Sequence, residues 1–256
     1  MKISIITAYH NRRKLFIETL KSIKKSNYNN FEVIAVDDCS IESERIEDLQ
    51  TEFPFLKIIR LNIDNKWYVN PCIPFNIGIN HAEADVIIIQ NPECLHVHDV
   101  ISYISKTIDD SNYLTVSTYS LNKELTDNLS NINNIDEYLK TLPQVASEGN
   151  PNLGWYNHSK YRPVYYHFCS AITKNNMDLL GGFDERYANG ISYDDNEFIE
   201  RITRLGLSKK VIDEVSVIHQ WHTTFFYNRK DYKNLHTINK NLFNNITKRE
   251  KIIKVN

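Results

Sequence analysis

The sequence predicts an α/β fold with a mostly parallel central sheet flanked by helices, and three observations support this class. Short apolar runs rich in Ile and Val alternate with amphipathic segments of helical spacing over residues 1–90. The apolar runs are nearly continuous, which is typical of strands covered on both faces. Strands that alternate with helices are joined by right-handed crossovers, which makes them neighbours in a parallel sheet.

The elements of this first part follow one another in a regular order. The runs ISIITAY, FEVIAVDD, LKIIRL and DVIII predict strands at residues 3–9, 31–38, 56–61 and 85–89. The segments between them predict helices at residues 13–26, 41–53 and 74–84. In the first helix, Phe16, Leu20 and Ile23 share one face and lysines lie opposite. This amphipathic pattern is expected of a helix that packs on a sheet.

The pattern is looser after residue 100. It predicts strands at 112–120 and 165–174, a helix at 194–206, and a strand pair or extended segment at 209–222. Residues 145–165 carry few helix signals, and we expect them to form a long structured loop. No linker marks a second domain.

Composition and charge exclude several classes of protein. The 256 residues can bury one substantial core, and a net charge of -2 argues against bulk electrostatic binding to nucleic acid. No apolar run approaches the length of a transmembrane helix, and the N-terminus lacks the features of a signal peptide. The four cysteines have no C-x-x-C spacing, so we expect reduced thiols rather than a zinc site. These features predict a cytosolic protein.

Polar residues follow three of the predicted strands. The first strand runs into residues 7–11, the second into Asp37 and Asp38, and the fourth into Asn91 and Glu93. Ligands of open parallel sheets bind outside the carboxyl ends of the strands, so we expect these clusters to converge. A helix cap or turn explains Ser40 after the second strand, but it does not explain two adjacent carboxylates.

The turn after the first strand has no glycine. Its sequence is TAYHNRRK, whereas a Walker loop or a dinucleotide-binding turn needs glycines at this place. Both classes are therefore excluded. Bound phosphates would have to be neutralised by a metal ion or by side chains such as Arg12 and Arg13.

Taken in order, these motifs resemble the family 2 glycosyltransferases of the GT-A fold. The resemblance rests on ISIITAYHNRRKLFIETLKSI and FEVIAVDDCS, then a strand ending in an acidic cluster, then LLGGFDERY and YDDNEFIERITRLG. It implies a single GT-A domain over residues 1–222, with a Rossmann-like nucleotide-sugar half at 1–100 and an acceptor-binding, catalytic half at 101–222. Residues 223–256 would be a basic extension packed on this domain, which as a basic amphipathic tail could touch a membrane surface.

The resemblance also implies a donor site. Thr7, Ala8, Tyr9 and Asp37 would face the base and ribose of a nucleotide sugar, usually UDP-linked. The neighbouring residues Asn11, Asp38 and Asn91 are expected to support the same site.

The family's D-x-D metal motif falls on Asn91-Pro92-Glu93, so its first carboxylate is missing here. Glu93 together with His222 and the diphosphate would hold Mn²⁺ or Mg²⁺, because such ions need only one or two carboxylates. An imidazole ligand favours Mn²⁺. Alternatively, Glu93 caps a helix suggested by residues 94–108.

The same resemblance places the catalytic base at Asp195, beside Asp194. A carboxylate can accept the proton of an attacking hydroxyl, and we expect repulsion by Asp194 to raise the proton affinity of Asp195. Alternatively, the pair caps the N-terminus of the helix. The roles of Trp155, Tyr156 and His167 stay open between sugar contact and core packing.

Together these features predict an inverting glycosyltransferase that moves a sugar from a nucleotide sugar to a hydroxyl of a carbohydrate, glycolipid or glycoprotein. An alternative is a nucleotide- or carbohydrate-binding protein without turnover, which Asn91 keeps open. A sugar nucleotidyltransferase is disfavoured because the turn TAYHNRRK lacks glycine.

Overall fold

The computed structural model describes residues 1–148, 153–223, 229–248 and 250–256, and within these ranges one nine-stranded sheet forms the centre of the molecule. Its strands are β1 Ile3–Tyr9, β2 Phe31–Asp37, β3 Leu56–Arg60, β4 Val86–Gln90, β5 Cys94–His96, β6 Asn112–Ser120, β7 Gly154–Asn157, β8 Cys169–Thr173 and β9 Ser208–His219.

Helices cover both faces of this sheet. They are α1 Arg13–Ile23, α2 Cys72–His81, α3 Val100–Thr107, α4 Lys123–Asp127, α5 Ile135–Thr141, α6 Lys174–Leu180, α7 Asp194–Leu205 and α8 Tyr232–Leu242. The helices predicted at 13–26, 74–84 and 194–206 are therefore confirmed to within a few residues. In the described part of the chain, none of the helices has the length and apolar character needed to cross a bilayer.

The strand order is β3-β2-β1-β4-β8-β6-β9-β5, with β7 paired to β6. Strands β3, β2, β1 and β4 are parallel, as predicted. Beyond β4 the sheet is mixed, because β8 runs antiparallel to β4 and β6 while β9 runs parallel to β6. The α/β class with helices on both faces is confirmed.

The strands alternate their side chains between two cores. Ile3 and Ile5 of β1 pack with α1 and α3 on one face. Ile6 packs with α2, α6 and α7 on the other face. Both sides of each strand therefore need apolar residues, which explains the continuous Ile and Val runs in the sequence.

The helix predicted at 41–53 is wrong, since the chain forms two short 3-10 turns there, Glu42–Glu44 and Glu47–Thr51. Arg13 is the reason, because it draws this segment onto the start of α1. Its backbone N–H donates to a Glu44 carboxylate oxygen (2.8 Å), and its guanidinium donates to the Arg45 carbonyl and to Asp48. These contacts hold Arg45 in an extended conformation that interrupts a helix.

Two other predictions need correction. The loop expected at 145–165 contains β7, which pairs with β6, while its residues 149–152 lie outside the described ranges. The strand predicted at 165–174 begins only at Cys169. The segment predicted as a strand pair or an extended segment at 209–222 is one strand, β9, in agreement with the second alternative, and its register against β6 shifts between Val116 and Ser117.

The C-terminal segment lies against the region around α6 and α7. The Val255 N–H donates to the Leu180 carbonyl (3.0 Å), and Arg204 donates to the carbonyl of Ile252 (3.1 Å). Residues 224–228 and 249 of the predicted extension lie outside the described ranges.

The four cysteines are all free thiols. Cys72, Cys94 and Cys169 are buried, whereas Cys39 is half-buried in the turn after β2.

Candidate functional site

The carboxyl ends of β1 and β2 lie side by side, with Tyr9 opposite Asp37. The side chain of Tyr9 nevertheless points into the core, where its ring packs on Phe16 (5.3 Å between centroids) and its hydroxyl donates to the Glu44 carbonyl (2.6 Å). Thr7 is buried as well, and Ala8 is half-buried. The loop at residues 7–9 is expected to face the base and ribose of a nucleotide, but the Tyr9 side chain does not contribute to that face, because strand alternation directs it to the α1 side.

Asn11 joins the two loops that follow β1 and β2. Its backbone N–H donates to Ser40 Oγ (3.0 Å), and its Oδ1 accepts from the Ile41 N–H (3.0 Å). It adopts a left-handed conformation with φ 47°, which asparagine tolerates better than most residues. Asn11 therefore shapes the edge of the sheet.

The adjacent carboxylates Asp37 and Asp38 have different surroundings. Asp37 is fully buried, accepts the Ser40 N–H (2.8 Å) and lies 3.0 Å from the Arg60 guanidinium. Asp38 is partly exposed, forms an ion pair with Lys66 and accepts the Tyr68 hydroxyl (2.7 Å). In this structure the carboxylate that a ligand can reach is Asp38, since the ion pair and the turn hold Asp37 inside.

Asn91 begins the turn that connects β4 to β5. Its N–H donates to the Phe168 carbonyl (3.0 Å), and its own carbonyl accepts the Cys94 N–H (3.0 Å). The first bond joins the turn to the residue that precedes β8, and the second closes the turn itself. The turn directs the next acidic side chain, Glu93, into the protein.

Glu93 is only 1% exposed and is surrounded by cationic and imidazole groups. Its Oε2 lies 2.7 Å from Arg12 Nη1, and its Oε1 lies 3.0 Å from His219 Nε2 and 3.2 Å from His222 Nε2. Burial raises the pKa of Glu93, but the charges of Arg12 and His222 and the hydrogen bond from His219 outweigh it and hold the pKa well below its usual range. Glu93 is therefore a buried carboxylate anion.

The alternative that Glu93 caps a helix is wrong. Residues 94–96 form β5, and α3 begins only at Val100. The N-cap residue of α3 is Asp99, whose carboxylate accepts the Ser102 N–H (3.1 Å). Glu93 is thus left for another role.

Glu93, His219 and His222 form a set of donors that fits a divalent transition metal. One ligand atom of each residue lies within 4.8 Å of the others. A carboxylate with two imidazoles suits Mn²⁺ and similar ions better than Mg²⁺, which prefers oxygen ligands. Glu93 and His222 were expected in this set from the sequence, and His219 was missed. Its signal was a histidine at the end of an apolar strand, three residues before His222.

The second cluster lies at the start of α7. His167 Nδ1 is 2.6 Å from Asp195 Oδ1, and the His167 N–H donates to the same oxygen (3.2 Å). Asn70 Nδ2 donates to Asp194 Oδ1 (3.0 Å). The Asp195 side chain is 30% exposed, so a substrate can reach it. The sequence alone does not decide whether His167 belongs to this site or to the core, and the structure places it in contact with Asp195.

The carboxylates of this pair are not helix caps. The N-cap residue of α7 is Tyr193, and no side chain makes a capping hydrogen bond there. The alternative that Asp194 and Asp195 serve as a cap is therefore wrong. Their positions in the first helical turn are still favoured by the helix dipole.

The pKa of Asp195 shifts in the direction opposite to the one expected from repulsion by Asp194. Burial raises the pKa of Asp195, but the His167 imidazole beside it outweighs burial and lowers the pKa below its usual value. The pKa of Asp194 is raised, first by burial and then by the charge of Asp195. Burial lowers the pKa of His167, yet Asp195 raises it on balance. Of the two carboxyl groups, Asp195 is therefore the one that loses its proton more readily.

The two clusters lie at the same edge of the sheet. His167 directly precedes Phe168, whose carbonyl binds the Asn91 N–H. The Phe168 ring also lies 6.0 Å from the ring of His219. The chain thus connects the Asp195 cluster to the Glu93 cluster through Phe168.

The two aromatic residues left open by the sequence are core anchors. Trp155 is buried against Tyr119 (5.0 Å), and its Nε1 donates to Gln144 (3.0 Å). Tyr156 is buried and packs on Phe168 (5.1 Å) and on His219 (5.0 Å). Tyr156 therefore packs against one of the candidate metal ligands, His219.

Solved structures share this architecture. S. aureus TarS 1–349 in complex with UDP-GlcNAc has a TM-score of 0.60 and 17% identity, over 92% of this chain and 64% of that chain. The mannosyltransferase PcManGT from Pyrobaculum calidifontis, in complex with GDP-Man and Mn²⁺, has a TM-score of 0.58 and 13% identity, over 86% and 56%. At these identities the likeness concerns the fold, and it confirms the GT-A type expected from the sequence.

Sequence comparisons agree. An uncharacterized glycosyltransferase of Rickettsia bellii is 23% identical over 150 residues, which is 58% of this chain and 20% of that protein. The chain thus spans about a fifth of the length of that relative. The model of glycosyl transferase family 2 matches residues 4–172, well over half of the sequence. The chain therefore belongs to glycosyl transferase family 2.

Proposed function

We propose that the protein transfers a sugar from a nucleotide-sugar donor to a hydroxyl acceptor, with inversion at the anomeric carbon. One observation carries this proposal above all. A reachable, ionised carboxylate, Asp195, lies at the same sheet edge as the metal-ligand set of Glu93, His219 and His222. Inverting transfer needs these two functions, a base for the acceptor and a positive charge for the leaving diphosphate.

The proposed reaction is a single in-line displacement. The acceptor oxygen attacks the anomeric carbon while the bond from that carbon to the diphosphate oxygen breaks, and the electron pair leaves with the diphosphate. The proton of the hydroxyl passes to Asp195. His167, 2.6 Å from the same carboxylate, holds it in place and keeps it ionised before the attack.

A divalent ion held by Glu93, His219 and His222 would supply positive charge next to the diphosphate. The Arg12 guanidinium forms an ion pair with Oε2 of Glu93, the oxygen that the histidines do not contact, and could turn toward a bound phosphate. Arg13, the other cation considered from the sequence, binds Asp48 instead (2.7 Å). The nucleotide would lie along the β1 and β2 ends, where Asp38 is the exposed carboxylate. We propose UDP as the nucleotide. The two solved structures of the same fold hold UDP-GlcNAc and GDP-Man, respectively.

Calorimetric titration of UDP, with and without Mn²⁺, tests the donor and metal sites. We expect wild-type protein to bind UDP more tightly with Mn²⁺, and the Glu93→Gln variant to lose this difference. Glu83→Gln, at an exposed position after α2, is the matched control and should behave as wild type. Equal affinity with and without Mn²⁺ would refute the metal site. No UDP binding would refute the choice of nucleotide and call for GDP.

The Asp195→Asn variant tests turnover. It should keep the UDP affinity of the wild type and lose transfer by a factor on the order of 10²–10⁴, the usual contribution of a general base. Wild-type protein that binds UDP but releases no sugar from any UDP-sugar would instead support the alternative of a binding protein without turnover.

A further inference from the structure

The turn that leads into Asp194 and Asp195 has an unusual backbone. Ser192 and Tyr193 both lie in the left-handed region, with φ 64° and 68°. Neither residue is glycine, and this conformation is disfavoured for other residues because it brings Cβ too close to the following carbonyl oxygen. Two in succession persist only where surrounding contacts hold them.

Helix α8 and the residue that follows it supply those contacts. The Ile191 N–H donates to the Leu235 carbonyl (3.2 Å). The Tyr193 ring packs against His236 (5.3 Å between centroids) and Phe243 (5.5 Å). The turn is therefore held by a helix that follows both α7 and β9 in the sequence.

Asn239 is the central contact of α8. It is fully buried, and its Nδ2 donates to the carbonyls of Tyr187 (3.1 Å) and Ser192 (2.8 Å). Its Oδ1 lies against Gly190, where a Cβ atom would come within 2.1 Å. A single amide thus holds both ends of the segment that precedes α7.

We infer that Asn239 is a positioning residue for the Asp194–Asp195 pair, and that α8 is part of the catalytic unit rather than a dispensable tail. This rests on the proposed function. The Ser192 carbonyl is one residue away from Tyr193, whose own carbonyl accepts the first helical bond of α7, from the Glu197 N–H (2.9 Å). Without the amide, the turn would relax toward negative φ and rotate the start of α7.

A rotation there would move the two carboxylates relative to their partners. Asn70 holds Asp194 from the donor half, and His167 holds Asp195 (2.6 Å). The donor nucleotide would bind at the ends of β1 and β2, on elements that Asn239 does not contact. Loss of Asn239 should therefore lower turnover and leave nucleotide binding intact.

The test compares Asn239→Ala and the isosteric Asn239→Asp, which lacks the amide donor, with Asn234→Ala at an exposed position of the same helix. Three quantities are measured on the full chain: kcat for transfer, UDP affinity, and the titration of the His167 ring by NMR. We expect kcat to fall on the order of 10- to 100-fold in both Asn239 variants, as for a misplaced catalytic group. UDP affinity should stay within about twofold, and the pKa of His167 should fall toward its ordinary value.

The outcomes separate this inference from the proposed function. If both Asn239 variants keep wild-type kcat and His167 titration, the inference is overturned. It is also overturned if UDP affinity falls in parallel with kcat, since that indicates general loss of structure. If the wild type transfers no sugar, the proposed function fails, and the His167 titration alone then decides whether Asn239 positions the pair.

Discussion

At the scale of single residues, the contact between His167 and Asp195 influences the pH range in which the proposed base, Asp195, is ionised. The pKa of Asp195 is lowered because His167 outweighs burial, and the pKa of His167 is raised by Asp195. By linkage, the Asp195 contribution to stability is present above its unfolded pKa and lost as pH falls. The His167 contribution is present below its unfolded pKa and lost as pH rises through the folded value.

Replacing His167 by Asn should therefore move the acidic limb of the kcat profile to higher pH. The variant keeps the burial of Asp195, which raises its pKa, and removes the imidazole that lowers it. The measurement is kcat against pH with a UDP-sugar donor. His81→Asn, on the exposed side of α2, is the control. An unmoved limb in His167→Asn would mean that Asp195 does not depend on this partner.

Single residues also show what the sequence could predict of the site. Asp194, Asp195, Glu93 and His222 lie in recognisable motifs, and the structure brings them into two clusters. His219 was not paired with Glu93 because the family resemblance points to His222 alone, and the contact of His219 with Glu93 arises through the pairing of β5 with β9. Motif order predicts which groups are present, whereas tertiary contacts decide their partners.

At the scale of secondary structure elements, α2 packs unusually close to the sheet at Gly78. A Cβ atom on this residue would lie 2.4 Å from Ile6 Cγ2 and 3.2 Å from Val36 Cγ2. Both contacts are buried side chains of β1 and β2. Glycine is thus required at this position by the close approach of helix and sheet.

Gly78→Ala should lower the free energy of unfolding. Overpacking of a core costs about 1–3 kcal/mol, whereas the gain in helix propensity is at most ~1 kcal/mol. Asn80→Ala, at an exposed position of the same helix, should change stability by less than about 0.5 kcal/mol. Urea denaturation of the three proteins measures these differences. A Gly78→Ala variant as stable as wild type would show that α2 can shift away from β1 without cost.

Elements with strong periodicity were the ones that the sequence predicted well. Strands β1, β2 and β4 and helices α1 and α7 appear close to their expected bounds because both their pattern and their packing favour them. Residues 41–53 have helical composition, yet contacts with Arg13 divide them into 3-10 turns. Long-range hydrogen bonds of this kind leave no local signal in the sequence.

At the scale of the whole molecule, the candidate site lies where the sheet changes from parallel to antiparallel. Strand β4 ends the parallel part and carries the turn to Glu93, while β8, its antiparallel neighbour, follows His167. The parallel half was readable from the sequence as alternating strands and helices. The mixed half was not, because strand direction after residue 100 depends on pairings between distant segments.

The distribution of the thiols gives the molecule a built-in chemical reporter. Of the four cysteines only Cys39 is partly accessible, and it adjoins Asp38 at the proposed nucleotide edge. A thiol reagent such as DTNB should modify one group in the folded protein and all four after unfolding. Modification should be faster at alkaline pH, because burial and then Asp38 raise the pKa of Cys39.

Cys39→Ser should remove the rapid reaction altogether, and a rapid second thiol in that variant would contradict the burial of the others. UDP should slow modification of Cys39 if the nucleotide lies at Asp38. The native chain could then carry a single fluorophore at this position, and donor occupancy would be followed by optical spectroscopy without any engineered label site.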